Sequence, residues 1–245
     1  MRKCLFGLVL GWSLIAVSNL FAFDRDYKAF HNFLKEYVHS GRVDYDAIRQ
    51  SSQDLRQIEN ELAEISSSEY SLWSKEEKLA FWINAYNLAA IKLIVEENPS
   101  KSIRQIPNVW KKPGLTMMGK TLSLDSIEQG ILRREFHEPR IHFVLVCASL
   151  GCPILRSEPY RGEQLSQQLD EQTKEFLSDP QKFRYVPKER TVYLSPIFRW
   201  FADDFQNSGG AIGFIKSHLP PEDAKPISPD VKIKWLDYDW NLNQK

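Results

Sequence analysis

The stretch SKEEKLAFWINAYNLAAIKLIVEENP, residues 74–99, decides how the rest of the chain must fold. Ser74 and Glu77 have the spacing of a capping box, and Asn98 followed by Pro99 supplies a stop, so the sequence predicts a helix from Lys75 to Glu97. Within it Leu79, Phe81, Trp82, Ile83, Tyr86, Leu88, Ala89, Ala90, Leu93 and Ile94 leave almost no polar face. Such a helix has to be buried on most sides, with the remaining elements arranged around it. Asn84 and Asn87 are the exceptions. They lie three residues apart on one side, and a buried amide must find hydrogen-bond partners or destabilise the fold.

On the N-terminal side, Tyr27, Phe30, Phe33, Leu34 and Val38 recur at helical spacing, and Gly41 breaks the pattern before Val43, Tyr45 and Ile48. This predicts a helix, a turn and a short helix, followed by another helix over 54–65 that ends at the serines 66–68. On the C-terminal side, Leu115 to Leu122 predicts a hairpin turning at Gly119, and a helix follows from about Asp125 to Arg134. The segment Arg140 to Val146 is apolar at both alternations apart from His142, which predicts a central strand covered on both faces. A helix over 163–177, a strand pair within 185–194, aromatic helical pieces over 196–205 and 212–219, and a last strand within 231–240 complete the order. The expectation is an α+β fold, a mixed central sheet packed against several helices.

Residues 1–22 stand apart. Two basic residues precede an almost wholly apolar run from Leu5 to Val17, with small residues at Ala16, Ser18 and Ala22. That order is the pattern of a secretory signal, and the run is shorter than the roughly 20 residues of a bilayer span. The reading is a signal peptide over 1–22, cleaved after Ser18 or Ala22, and one exported domain over 23–245, periplasmic or secreted, with no stable membrane span. Cys4 would leave with the signal, so Cys147 and Cys152 would be the mature protein's two thiols.

Lys plus Arg equals Asp plus Glu at 32 each, and no long block of one sign occurs. Charge therefore nominates no nucleic-acid partner. There is no phosphate loop, dinucleotide glycine fingerprint or Gly-x-Ser-x-Gly elbow, and no cofactor is expected.

Chemistry concentrates between residues 140 and 153, where Arg140, His142, Cys147, Ser149 and Cys152 fall together. A thiol becomes a strong nucleophile when a histidine or another cation favours the thiolate, and the histidine works best when a carboxylate or amide orients it. Glu128, Asn84 and Asn87 are candidates for that third part. His142 and Cys147 are five apart and would face opposite ways on a straight strand, so they meet only if the strand ends or bends first. Cys152, before Pro153, is the alternative nucleophile. Structural roles compete at each position: a Cys147–Cys152 disulfide in an oxidising compartment, a capping box from Asp125 to Glu128, and backbone partners for Asn84 and Asn87. Two cysteines and one histidine could also ligate zinc, but no Cys-x-x-Cys or His-x-x-x-His accompanies them, and no metal site is assigned.

The chain resembles the "domain of unknown function 547" family. The matching stretches are GRVDY at 41–45, FWINAYN at 81–87, LDSIE at 124–128, RIHF at 140–143, CASLGCP at 147–153, WFADDF at 200–205 and YDWNLN at 238–243. The resemblance implies a fold similar to papain-like or transglutaminase-like cysteine enzymes. It implies Cys147 as nucleophile, His142 as base and Glu128 as the orienting group, with Asn84 and Asn87 shaping the cleft. Trp82, Arg140, Ser149 and Cys152 join the expected substrate-binding set. The expected function is a thiol-dependent hydrolase or acyltransferase acting on a peptide, amide or thiol-containing small molecule. The alternative is a non-catalytic binding module with a structural disulfide and aromatic pocket walls (Trp82, Tyr86, Trp200, Phe201).

Overall fold

The computed structural model describes residues 23–245; the signal-peptide reading of 1–22 lies outside the described residues. Helices α1 (Lys28–Tyr37), α2 (Tyr45–Gln50), α3 (Ser52–Ala63) and α4 (Ser67–Ser71) lead to α5 (Lys75–Glu97), with a two-stranded turn of β1 (Val38–His39) and β2 (Arg42–Val43) after α1. The Ser74–Glu77 capping box forms as its spacing predicts, and Asn98 closes α5 in the left-handed conformation. Sixteen of the 23 residues of α5 are buried. Among the described residues it is the one helix long and apolar enough to cross a membrane, but it is a core helix packed inside the protein.

The predicted hairpin is present as β3 (Pro113–Met117) and β4 (Lys120–Ser123), and α6 (Leu124–Ile127) follows it, capped by Ser123. From Glu128 to Phe136 the helix continues with the wider π-type turn, a geometry that recurs at functional sites. Next come α7 (Leu165–Ser178), β5 (Phe183–Val186), β6 (Thr191–Leu194), α8 (Ile197–Trp200), α9 (Gly210–His218), α10 (Pro221–Ala224) and β7 (Lys232–Trp235). Strand β6 pairs antiparallel with β5 and parallel with β7, so this sheet is mixed. At 56% helix with small sheets the fold is α+β.

The expected central strand over 140–146 is corrected. Pro139–Phe143 is a 3₁₀ turn, and the chain then runs on without a strand neighbour among the described residues. Glu138 caps the turn, its Oε1 accepting from the Arg140 amide at 3.0 Å, and Pro139 suits the first helical position. The segment is apolar on every side because it threads between two cores. Ile141 and Val144 belong to the core built on α5, whereas Phe143 joins a phenylalanine cluster with Phe176, Phe198, Phe205 and Phe214. Periodicity cannot separate a doubly covered strand from a doubly covered turn. Asn87 takes the place of a ladder partner: its amide donates to the Val144 carbonyl at 3.0 Å and its carbonyl accepts from the Val146 amide at 2.8 Å.

Candidate functional site

The segment that Asn87 holds delivers Cys147 to the rim of a cavity of about 330 Å³. Ala148 follows in the left-handed conformation (φ 59°), a strained state for a residue with a Cβ, and it turns the chain sharply between Cys147 and Ser149. The C-terminal strap fastens this loop. Leu150 donates to the Asn241 carbonyl at 2.8 Å, Gly151 to that of Asp239 at 2.7 Å, and Asn243 to that of Ala148 at 3.0 Å. From the other side the buried Lys182 ammonium donates to the carbonyls of Leu150 (2.5 Å) and Cys152 (2.7 Å). Burial pulls its pKa down to about 8.

Cys147 and Cys152 are joined as a disulfide, and both line the cavity. Cys147 is half-buried and Cys152 fully so. The Tyr238 hydroxyl lies 3.3 Å from the Cys147 sulfur and 3.1 Å from that of Cys152, and the Cys147 amide points at the Cys152 sulfur at 3.0 Å. A Cβ on Gly151 would stand 2.7 Å from the Tyr238 ring, so glycine is what lets that ring settle over the loop.

His142 reaches the same cavity from the 3₁₀ turn. Its ring stacks on Phe201 at 3.9 Å, and Nε2 lies 2.7 Å from Oδ2 of Asp204. Arg133 grips that carboxylate with two bonds, 2.6 Å from Nε and 2.8 Å from Nη2. Burial would raise the Asp204 pKa, but the hydrogen bonds and charges of His142 and Arg133 hold it well below the usual carboxylate range. Burial lowers the His142 pKa, only partly opposed by Asp204, so the ring is held neutral at neutral pH. A carboxylate accepts only, so Nε2 carries the proton and Nδ1 keeps its lone pair.

Glu128 lines the cavity as well, but its hydrogen-bond partner is the Tyr86 hydroxyl at 3.3 Å. Burial, reinforced by the charges of Asp125 and Asp204, pushes its pKa up to about 7 against the effects of Tyr86 and Arg133. Nor does it cap a helix with Asp125, since Ser123 caps α6.

The other expected site residues lie elsewhere. Asn84 pairs with the backbone of Tyr160 through both ends of its amide, 2.8 and 2.9 Å, as Asn87 does with 144–146. Trp82 donates to the Tyr70 hydroxyl at 2.7 Å within a separate aromatic cluster. Arg140 is spent on Glu138 and Asp170. Ser149 is buried beneath Cys147, bridged to Leu242. Of the four aromatic walls expected, Tyr86, Trp200 and Phe201 do line the cavity, and Trp110, Tyr238 and Trp240 join them.

Asp204, Tyr238, Trp110 and Trp240 escaped sequence reasoning as site residues, although Asp204 falls in WFADDF and Tyr238 and Trp240 in YDWNLN, stretches that carried the family resemblance. An acid pair inside an aromatic run was the available signal for Asp204, but only the turn geometry selects Asp204 over the exposed Asp203.

Residues 70–177 match the family model described as "Protein of unknown function, DUF547". The resemblance is thereby borne out over the stretch that carries α5, Glu128, His142 and both cysteines. No curated protein and no solved structure matches the chain significantly.

Proposed function

We propose, starting from a family whose own function is unknown, that this chain is an exported thiol-dependent hydrolase or acyltransferase of cysteine-peptidase-like mechanism. One observation carries the reading. His142 commits Nε2 to Asp204 and lines the same cavity as Cys147, which leaves Nδ1 as the basic nitrogen of a Cys-His-Asp set.

A reducing dithiol would first open the disulfide by thiol–disulfide exchange, giving up two electrons and two protons and leaving as its own disulfide, so that Cys147 and Cys152 become thiols. In the reduced site, His142 accepts the Cys147 proton as the sulfur attacks a carbonyl carbon, and returns it to the departing amine. Water or an acceptor amine then cleaves the thioester. Asp204 keeps the imidazole in the required tautomer and stabilises its charge as it forms, a role that replaces the one expected of Glu128. Glu128, half-protonated near neutral pH, is suited to hydrogen-bond a polar substrate group at the cavity wall. Export rests on the sequence of residues 1–22, and the mass of the mature N-terminus tests it.

Thiol alkylation of the folded protein tests the chemistry. After mild reduction Cys147 is expected to react faster than Cys152, and faster than Cys147 in His142→Ala. Equal rates in wild type and His142→Ala would defeat the proposal.

The disulfide itself favours a second reading, a non-catalytic binding module in which Cys147–Cys152 merely closes the loop. Failure of either cysteine to react in the folded, reduced protein would select it.

A further inference from the structure

The cavity wall and its charge say what class of ligand fits. Trp200 and Trp240 are stacked at a 29° inclination with centroids 5.8 Å apart, Tyr238 packs against both at 4.8 and 4.5 Å, and Trp110 stands 6.5 Å from Trp240. These rings come from three separated parts of the chain, and Trp200 remains 44% exposed. Large aromatics left open to a cavity are surface the fold could have buried.

Among the described residues no lysine or arginine lines this cavity, whereas Asp125 and Glu128 both do. They are one helical turn apart and face the same space. His142 is neutral, so the ionised lining is anionic throughout. The elevated pKa of Glu128 fits this picture, because burial and the charges of Asp125 and Asp204 disfavour its ionised form. A cation in the cavity would relieve that repulsion. The protein's own cations already use two rings of the lining: the Arg104 guanidinium lies 5.1 Å from the Trp240 centroid and that of Arg133 5.2 Å from Phe201.

We infer that the cavity binds an alkylammonium group, held against the open Trp200 ring with Asp125 and Glu128 as counter-charges. Ring quadrupoles attract a cation over their faces, and desolvation strengthens the attraction. A carboxylate-bearing ligand is repelled by the same lining, and a neutral apolar one gains only burial. Taken with the proposed chemistry, on which the substrate assignment but not the binding rests, the substrate is an amide or thioester carrying an ammonium group near the reacting carbonyl.

The test measures binding to the oxidised full-length mature protein, in which the nucleophile is closed, by tryptophan fluorescence and calorimetry. The probes are choline chloride, n-butylammonium chloride and dimethylbutanol, the uncharged isostere of choline, at constant ionic strength. At least one ammonium is expected to bind about tenfold or more tighter than the alcohol. Trp200→Leu, a change at an exposed position, and Asp125→Asn are each expected to weaken it about fivefold or more with little change in melting temperature. Equal binding of ammonium and alcohol, or binding indifferent to both substitutions, overturns the inference. Because the disulfide stays intact, failure here is separable from failure of the thiol chemistry, which the alkylation rates report.

Discussion

His142 and Asp204, 62 residues apart in the chain, meet through a 2.7 Å hydrogen bond at the wall of the cavity that also holds Cys147. Arg133 completes the arrangement by neutralising the carboxylate. In the proposed mechanism Asp204→Asn keeps the shape but reverses the hydrogen bond's polarity, favouring the wrong tautomer. The turnover rate is expected to fall about 10²- to 10⁴-fold with little change in KM. The acid limb of stability should change too. A carboxyl whose pKa is depressed in the fold contributes stability above its unfolded pKa and loses it as pH falls through the folded value. Wild type should therefore lose stability below about pH 4 more steeply than the variant, as acid-unfolding curves would report.

Glu128 carries the opposite sign. Its folded pKa, about 7, lies above the unfolded value, so the contribution is complete below about pH 4 and is lost as pH rises toward 7. Glu128→Gln, permanently neutral, should then be more stable than wild type at pH 8 by about 1–3 kcal/mol. The advantage should shrink toward pH 4. Denaturant titrations at the two pH values measure it, and a constant difference would contradict the assignment.

Lys182→Met leaves the Leu150 and Cys152 carbonyls without their donor. The expected loss is about 1–3 kcal/mol. Hydrogen exchange at the amides of residues 147–152 should speed up while that of α5 shifts only by the global change. Uniform acceleration would mean that Lys182 supports the whole fold rather than the loop.

Gly151→Ala drives a methyl into the Tyr238 ring, 2.7 Å from the new Cβ, at about 1–3 kcal/mol. Tyr238→Phe removes only the hydroxyl contacts with the two sulfurs and should be milder. Both variants are expected to be reduced faster by a dithiol than wild type, a rate followed by alkylation and mass shift.

Much of this was legible from residue order. Helix α5 was readable because its cap, its stop and its unbroken apolar surface are local properties that agree. The β3–β4 hairpin was readable for the same reason, since its turn residues sit between matched strands. The segment 140–146 was misread as a strand because burial on both sides erases periodicity, and the two cores that bury it are assembled from residues more than thirty positions away, such as Phe176 and Phe214.

The site divides in the same way. Sequence by itself determined the α+β class, the family resemblance and the clustering of His142, Cys147 and Cys152, because those follow from short-range spacing. Only the tertiary structure decided that Asp204 orients His142, that Glu128 pairs with Tyr86, that Asn84 and Asn87 brace backbone, and that three tryptophans from separate segments wall one cavity with two carboxylates. Those choices depend on which distant side chains arrive at hydrogen-bond or contact distance once the two cores close, and spacing along the chain carries no record of that.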